Sequence, residues 1–356
     1  IAAEHDGDSG AMRNHFNGKI ERPRILRGSR GIEDLLAQQA AGSAPPPASV
    51  VADWDLSVGI PTLIVADTGR SAWHGQCVNL PTRAVTGSRW SGRHHRWGEA
   101  PEEYGAIHFH EDDIDDAGWQ PTLALTIPDD WPSGVYALHL ETIDGPSPGA
   151  RDNIVFYVRA REPGRAARVA FLAPTITYTV YSQFVRPGRQ AQIAERAGNW
   201  GALAHAPDGH PEYGLSPYNY HSDGSGVAYA TMRRPMIDKR VGQFHLMDPS
   251  PNGSGTYWIA ADSYITDLLD RCGIPFEVIT DHDLHTEGAD LLARYQVVLT
   301  GQHPEYHTSE TLDAIGTYLA GGGRLLYLGG NGFYWKVVPH PDGPSAFEVR
   351  RAEGGI

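Results

Sequence analysis

The sequence predicts a multidomain protein in which an antiparallel β-sandwich precedes a doubly wound, parallel α/β sheet. Its 356 residues are enough for two or three cores, at roughly 100–200 residues per domain. Short strands of alternating hydrophobicity occupy residues 50–160, which is typical of antiparallel pairing. From residue 167 onward, near-continuous apolar strands alternate with helical patterns, which indicates a parallel sheet with its strand-end loops on one edge.

Residues 1–47 lead into these domains. In "HFNGKIERPRIL", Asn17-Gly18 is typical of a hairpin turn, so residues 1–25 are predicted to be the last strands of a β domain. A short helix is predicted around Ile32 to Ala41, and the Pro-rich stretch "GSAPPPAS" cannot continue it. Residues 26–47 are therefore predicted to form a linker with a short helix.

Two further domains are predicted, at residues 48–162 and 163–356. The β-strands of the first are expected at 62–67, 105–110, 122–128, 134–141 and 153–158. The strands of the second are expected in "ARVAFLAP", "PFEVIT", "YQVVLTG" and "RLLYLGG". Helical faces lie between the later strands, with Gly273 and Gly321 as expected C-terminal caps. Some eighty residues, about 176–256, are expected to form a long functional loop.

Composition excludes several classes of partner. A net charge of -14 leaves no basic stripe for nucleic acid, and no run approaches the roughly 20 apolar residues that span a bilayer. Cys77 and Cys272 are far apart, so we expect no disulfide framework and a reducing cytoplasmic location. Because the chain begins at Ile1 and ends in a Gly-rich stretch, we expect a segment of a longer polypeptide, for which a missing signal peptide says little.

Familiar hydrolase signatures do not fit their surroundings. "GPSPG" satisfies G-x-S-x-G at Ser147 but lies between two predicted β-strands rather than at a strand-to-helix turn. Cys272 follows a helix, where a small buried hydrophobe is the simpler interpretation, so it does not suit a cysteine elbow. The glycines around "RLLYLGGNG" lack the following helix of a dinucleotide site.

A polar segment follows one of the parallel strands. "TGQHPEYHT" (300–308) places His303, Glu305 and His307 where the predicted strand ends. Ligands of open α/β sheets bind outside the carboxyl ends of the strands. If Pro304 keeps the segment extended, His303 and Glu305 project in the same direction.

Two tyrosine-rich segments are expected at the same edge. "TITYTVYSQF" carries Tyr178 and Tyr181, and "GLSPYNYHSDGSG" carries Tyr218 and Tyr220. Phenolate and carboxylate oxygens suit a hard cation, which would also let a tyrosine ionise near neutral pH. The alternative is that these tyrosines are ordinary packing residues.

"HFHEDDIDD" (108–116) is a rival metal site. His108 and His110 share one face of a predicted strand and are followed by five carboxylates, a set conceivable for Ca²⁺ or Zn²⁺. The alternative is a solvated acidic loop.

Seven stretches carry a resemblance to a known family. They are "HGQCVNLPTRAVTGSRWSG", "YGAIHFHEDDIDDAGW", "PSGVYALHLE", "VAFLAPTITYTVYS", "LSPYNYHSDGSG", "VVLTGQHPEYHT" and "GGRLLYLGGNGFYW". Together they resemble the large subunit of N,N-dimethylformamidase over most of the chain from about residue 15. The resemblance implies a lectin-like end at residues 1–25 and an amidotransferase-like sheet at 163–356.

The resemblance also implies a site and a reaction. A mononuclear non-haem iron, Fe(III), would be held by Tyr181, Tyr218 and Glu305, with His303 as an acid/base beside it. Tyr220 stays open as an alternative to Tyr218. The implied reaction is hydrolysis of a small N-substituted formamide to formate and an amine, in an assembly with a small partner subunit and a higher oligomer.

The second functional hypothesis assumes the same fold but no catalytic activity. In it the chain is a ligand-binding or assembly module with an amidotransferase-like domain. A bound iron tyrosinate would colour the protein, whereas such a module would be colourless.

Overall fold

The computed structural model describes residues 1–7, 12–186, 188–200, 207–239 and 258–351. The chain divides into two compact units. The first contains residues 1–115 and 220–228, and the second contains residues 116–219 and 229–351. Every helix among the described residues is too short or too polar to cross a bilayer.

The first unit consists of small antiparallel sheets. Its strands are β1 (Glu4–His5), β2 (Met12–Arg13), β3 (Gly18–Glu21), β4 (Arg24–Leu26), β5 (Val50–Asp53), β6 (Ile64–Val65), β7 (Gly75–Gln76), β8 (Thr82–Val85) and β9 (Ala106–Phe109), with helix α1 (Ile32–Ala40) after β4. Strands β1–β2, β4–β5 and β6–β7 pair, and β9 lies between β3 and β8. The "HFH" motif therefore lies on and just after a central strand.

The second unit contains parallel strand pairs. Its strands are β10 (Gly134–Glu141), β11 (Arg151–Val158), β12 (Val169–Ala173), β13 (Tyr229–Thr231), β14 (Phe276–Thr280), β15 (Val297–Thr300), β16 (Tyr306–His307), β17 (Arg324–Leu326), β18 (Trp335–Lys336), β19 (Val338–His340) and β20 (Gly343–Glu348). The parallel pairs are β12–β14, β12–β15, β15–β17 and β16–β18. Its helices are α2 (Thr175–Tyr181), α3 (Gln190–Trp200), α4 (Trp258–Arg271), α5 (Asp281–Glu287), α6 (Ala289–Leu292) and α7 (Ser309–Ala320).

A four-stranded parallel sheet with the order β14-β12-β15-β17 forms the centre of this unit. Leu172 packs on one face with residues of α5, α6 and α7, while its neighbour Phe171 packs on the other with Tyr157 of β11 and Ile265 of α4. Alternate residues point to opposite faces, and both faces are buried along β12 and β15, which is why these two strands are almost entirely apolar.

The predicted mixture of antiparallel sheets with a parallel α/β sheet is confirmed. The finer arrangement, a β-sandwich followed by an amidotransferase-like sheet, and the bounds of the four predicted segments stay predictions. Four predicted parallel strands are present as β12, β14, β15 and β17. The strands predicted at 134–141 and 153–158 are β10 and β11, which pair with each other from end to end.

Two predicted strands differ from the structure. Only Ile64–Val65 of the predicted strand at 62–67 is extended and paired. Residues 122–128 are described and form no strand; Leu123 and Leu125 are 62% and 51% exposed. Alternating hydrophobicity predicts a strand only where a neighbouring strand supplies hydrogen-bond partners and a face to pack on.

The predicted long loop contains regular structure. Helix α2 begins two residues after β12, and α3 follows it, so Tyr178 and Tyr181 lie on a helix. Residues 240–257 of this segment lie outside the described residues. Local hydrogen bonds explain the early helix, since the backbone N–H of Tyr178 donates to the carbonyl of Pro174.

The predicted glycines end their helices. Gly273 takes a left-handed φ of +66° after α4, and Gly321 is the C-terminal cap of α7, followed by Gly322 with φ +89°. Thr308 caps the start of α7. Cys272 is exposed, so its interpretation as a buried hydrophobe was wrong, and both cysteines are free thiols.

Candidate metal centre

The segments that follow β12 and β15 contact each other directly. The backbone N–H groups of Glu305 and Tyr306 both donate to Thr177 Oγ1, at 3.2 and 3.3 Å. Gly301 makes this approach possible, because a Cβ there would lie 2.6 Å from the ring of Pro174. The loop after β15 is thereby held against helix α2.

Glu305 is the buried carboxylate of this site. Its side chain lies beside the last residue of α2, and Tyr181 Oη donates to Glu305 Oε2 at 2.6 Å. His303 Nε2 is 3.0 Å from the same oxygen. Glu305 is only 2% exposed, so its charge depends on these partners rather than on water.

Tyr218 reaches the same place from a turn. Ser216 Oγ donates to the carbonyl of Val180 at 2.8 Å and accepts from the backbone N–H of Tyr218 at 3.2 Å, which ties the turn to α2. The ring of Tyr218 stacks on that of Tyr181, with centroids 4.2 Å apart. Its Oη lies 2.6 Å from Tyr306 Oη.

Two further side chains border the tyrosine pair. The Arg351 guanidinium lies 3.6 Å from the centroid of the Tyr218 ring. Trp258 packs against Tyr181 with ring centroids 4.5 Å apart, and the Lys239 ammonium lies 3.8 Å from the Trp258 centroid. A cation on the face of each aromatic ring is a favourable electrostatic contact.

The ionisation of these groups follows from burial and pairing. Burial, together with the hydrogen bond to Glu305, raises the pKa of Tyr181 well above its ordinary value. Burial also raises the pKa of Tyr218. The pKa of Glu305 is lowered: burial opposes its charge, but the hydrogen bonds from His303 and Tyr181 outweigh it. The phenols therefore hold their protons while the carboxylate is ionised.

The structure brings together four of the predicted site residues: Tyr181, Tyr218, His303 and Glu305. Tyr178 is not among them, since its hydroxyl donates to the Asp262 carboxylate.

Tyr220 and His307 also lie apart from this group. Tyr220 is 61% exposed, and the residues before it are not extended as the prediction requires. The reason is a turn in which the N–H of Asn219 donates to the carbonyl of Ser216. His307 is fully buried, and its Nε2 lies 2.9 Å from the carbonyl of Pro304. Burial lowers the pKa of His307 to about 4, so it is a neutral packing group.

Sequence reasoning missed Thr177, Tyr306 and Arg351. Thr177 precedes Tyr181 by one helical turn, so the i, i+4 spacing would have found it once α2 was recognised as a helix. Tyr306 follows Glu305 directly, where strand alternation pointed it away from the site. Arg351 is distant in sequence and carries no local signal.

The donor set suits a hard, highly charged cation. Two phenol oxygens and one carboxylate oxygen are available, with no thiolate among the described residues of the site. Such oxygens match ferric iron better than a soft metal. Because burial raises the pKa of both phenols, they would become ligands only if a strongly positive ion displaced their protons.

Comparison with known proteins agrees with the motifs. A family model described as "N,N-dimethylformamidase beta subunit-like, C-terminal" matches residues 82–356. The N,N-dimethylformamidase beta subunit of Paracoccus aminophilus is 38% identical over 99% of this chain, and that of an Alcaligenes species is 37% identical over the same share. The chain spans about half, 46%, of the length of each relative. Both relatives are named as beta subunits, so the description as a large subunit stays a prediction. The chain belongs to the N,N-dimethylformamidase beta subunit-like family.

Proposed function

We propose that the protein hydrolyses a small N-substituted formamide, such as N,N-dimethylformamide, to formate and an amine at a mononuclear non-haem Fe(III) site. The observation that carries this proposal is the meeting of Tyr181 and Glu305 at 2.6 Å, with Tyr218 stacked on Tyr181 and His303 beside the carboxylate. The names of the relatives supply the substrate class.

Tyr181, Tyr218 and Glu305 would hold the ion. When bound, ferric iron would supply Lewis acidity toward the amide carbonyl and toward water. The two tyrosines must release their phenolic protons to become ligands, so that uptake of the ion expels protons. Tyr306 can then donate to the oxygen of Tyr218, and a hydrogen bond to the charged form stabilises it.

His303 is suited to move the proton that the reaction requires. Amide hydrolysis needs a proton taken from water and a proton given to the departing nitrogen. His303 Nε2 lies at the site, 3.0 Å from Glu305, and its side chain is 16% exposed. Once Glu305 serves as a ligand, His303 Nε2 can accept the proton from water and deliver it to the amine.

The finer fold and the assembly belong to the same proposal. Parallel pairing in the order β14-β12-β15-β17 supports an amidotransferase-like sheet, and the long β10–β11 hairpin supports a sandwich. The relatives' designation as beta subunits supports a heteromer with a small partner subunit. A cytoplasmic location stays a prediction.

Metal analysis and visible spectroscopy of the intact protein test the function. We expect one iron per chain, a tyrosinate charge-transfer band, and release of dimethylamine and formate from N,N-dimethylformamide. A colourless, iron-free protein that does not hydrolyse the amide after iron is added would refute the proposal and favour the ligand-binding or assembly module.

A further inference from the structure

Three buried histidines of the first unit lie against one another. His108 lies on β9, and His110 directly follows the last residue of this strand. Their ring centroids are 4.2 Å apart, and the ring planes are tilted by 45°. His221 comes from the segment 220–228, and its ring stacks on that of His110 at 3.6 Å. All three residues are more than nine-tenths buried. Imidazoles so crowded require carboxylates, water or a metal ion to satisfy their nitrogens.

Asp223, from the same segment as His221, brings a carboxylate to two of these rings. Its Oδ2 lies 2.8 Å from His108 Nε2 and 3.6 Å from His110 Nε2. The donor atoms of the three residues all lie within 4.8 Å of one another. Zinc binds such donors at about 2.0–2.2 Å, so displacements on the order of 1 Å let the three atoms share one ion.

The opposite side of two of the three donor groups, His110 and Asp223, is already held. His110 Nδ1 lies 3.4 Å from Asp113 Oδ1, which directs Nε2 toward Asp223. Asp223 Oδ1 accepts from both the hydroxyl and the backbone N–H of Ser225, at 2.6 and 2.9 Å, which leaves Oδ2 facing the histidines. Outer partners of this kind orient histidine and carboxylate ligands in metal sites. Ser225 Oγ is also 2.8 Å from His110 Nε2, a contact that an ion would replace.

A second set, His110, Asp113 and His221, is equally close in distance. Its ring geometry is unsuitable. The planes of His110 and His221 differ by 1° and are stacked face to face. A metal ion lies in the plane of each imidazole that binds it, and parallel planes separated by a stacking distance share no point. The tilted planes of His108 and His110 do intersect.

We propose that His108, His110 and Asp223 form a second metal site, for a divalent transition ion of which Zn²⁺ is the best fit. Two imidazoles and one carboxylate suit zinc, whereas Ca²⁺ and Mg²⁺ prefer oxygen donors throughout. The Asp223 side chain is 27% exposed, which gives the ion a route from solvent. Binding of the ion displaces the proton that His108 and Asp223 share in their hydrogen bond.

The site has a structural consequence within the first unit. Asp223 and His108 are 115 residues apart in sequence, and an ion would fasten the segment 220–228 to β9. Because the three donor groups come together only in the folded protein, zinc should bind the folded chain in preference to the unfolded one and so raise the melting temperature.

Metal titration of the intact protein, freed of metal by a chelator, tests the proposal. Zn²⁺ uptake is followed by calorimetry, and Co²⁺ uptake by the visible d–d absorption of a tetrahedral ion. Asp223→Asn removes a partly exposed ligand and is expected to abolish this uptake. Asp113→Asn removes only an outer partner and should weaken binding by about 10–100-fold. Iron is measured separately in each variant, so the two sites are distinguished.

Asp112→Asn is the matched control. Asp112 belongs to neither set of candidate ligands and is hydrogen-bonded to His221 Nδ1 at 2.6 Å, a histidine outside the proposed set, so this variant should bind zinc much as the unmodified protein does. Equal zinc uptake by the unmodified protein and Asp223→Asn would overturn the proposal and leave a hydrogen-bonded His/Asp cluster. Loss of zinc in His221→Gln with retention in Asp223→Asn would overturn it in favour of the other set.

Discussion

The two candidate metal sites differ in the side chains that hydrogen-bond to their buried ionisable groups. At the edge of the parallel sheet, a single carboxylate, Glu305, is surrounded by phenols and one imidazole. At β9, each imidazole has its own carboxylate: His108 pairs with Asp223, His110 with Asp113 and His221 with Asp112.

This difference affects how strongly each site depends on a metal ion. The His/Asp cluster can satisfy its charges by internal pairing. The buried phenols at the sheet edge cannot ionise by pairing with Glu305, since a second negative charge raises their pKa further. The tyrosines can bind a metal only after they lose a proton, and only a bound cation can stabilise that ionised form. The histidines bind a metal as neutral groups, so their cluster depends less on the ion.

The largest expected effect is that of Glu305→Gln. A neutral amide is a much weaker ligand for a hard cation, so most bound iron and all turnover should be lost. Zinc at the β9 cluster should be unchanged. Glu310→Gln, an exposed glutamate on α7, is the control. Full iron occupancy with normal activity in Glu305→Gln would remove Glu305 from the ligand set.

Tyr218→Phe should have the next largest effect. The change deletes one ligand oxygen and keeps the ring that stacks on Tyr181, so the charge-transfer colour should shift or vanish. Tyr220→Phe is the matched control and should leave the spectrum nearly unchanged, because Tyr220 is mostly exposed. The reverse pattern would transfer the ligand role to Tyr220.

His303→Asn should separate proton transfer from metal binding. Iron should remain, while kcat falls on the order of 10²–10⁴-fold, as expected for the loss of a general acid/base. Iron content and steady-state kinetics measure the two effects. Loss of iron from this variant would instead make His303 a ligand.

A smaller effect concerns the pH dependence of stability near the sheet edge. Burial raises the pKa of Asp262 to about 6, although its carboxylate accepts hydrogen bonds from Tyr178 and from the backbone of Gln302. Because this pKa is raised in the folded protein, its stabilising contribution is complete below about pH 4 and is lost as the pH rises through 6.

Asp262→Asn, which stays neutral, should therefore gain stability relative to the unmodified protein between pH 4 and 6. The gain in the free energy of unfolding should reach about 3 kcal/mol, at roughly 1.4 kcal/mol per pKa unit. Urea unfolding at several pH values measures it, with the exposed Asp267→Asn on the same helix as control. Parallel pH profiles for Asp262→Asn and the unmodified protein would contradict the assignment.

Local sequence patterns were sufficient to predict most strands of the parallel sheet. Apolar runs such as Val169–Ala173 predicted strands because side chains on both faces of such strands are buried. Those strands in turn predicted the edge where His303 and Glu305 lie. The motif resemblance supplied Tyr181 and Tyr218, and the family comparisons agree with that resemblance.

Only the tertiary structure decided which of these side chains meet. Tyr181 approaches Glu305 because α2 is a helix anchored by Thr177, and Tyr218 reaches Tyr181 because Ser216 ties its turn to α2. Periodicity describes one element at a time. Contacts between residues more than 100 positions apart, such as Tyr181 with Glu305 or His108 with Asp223, depend on how the elements pack, and no local pattern contains that information.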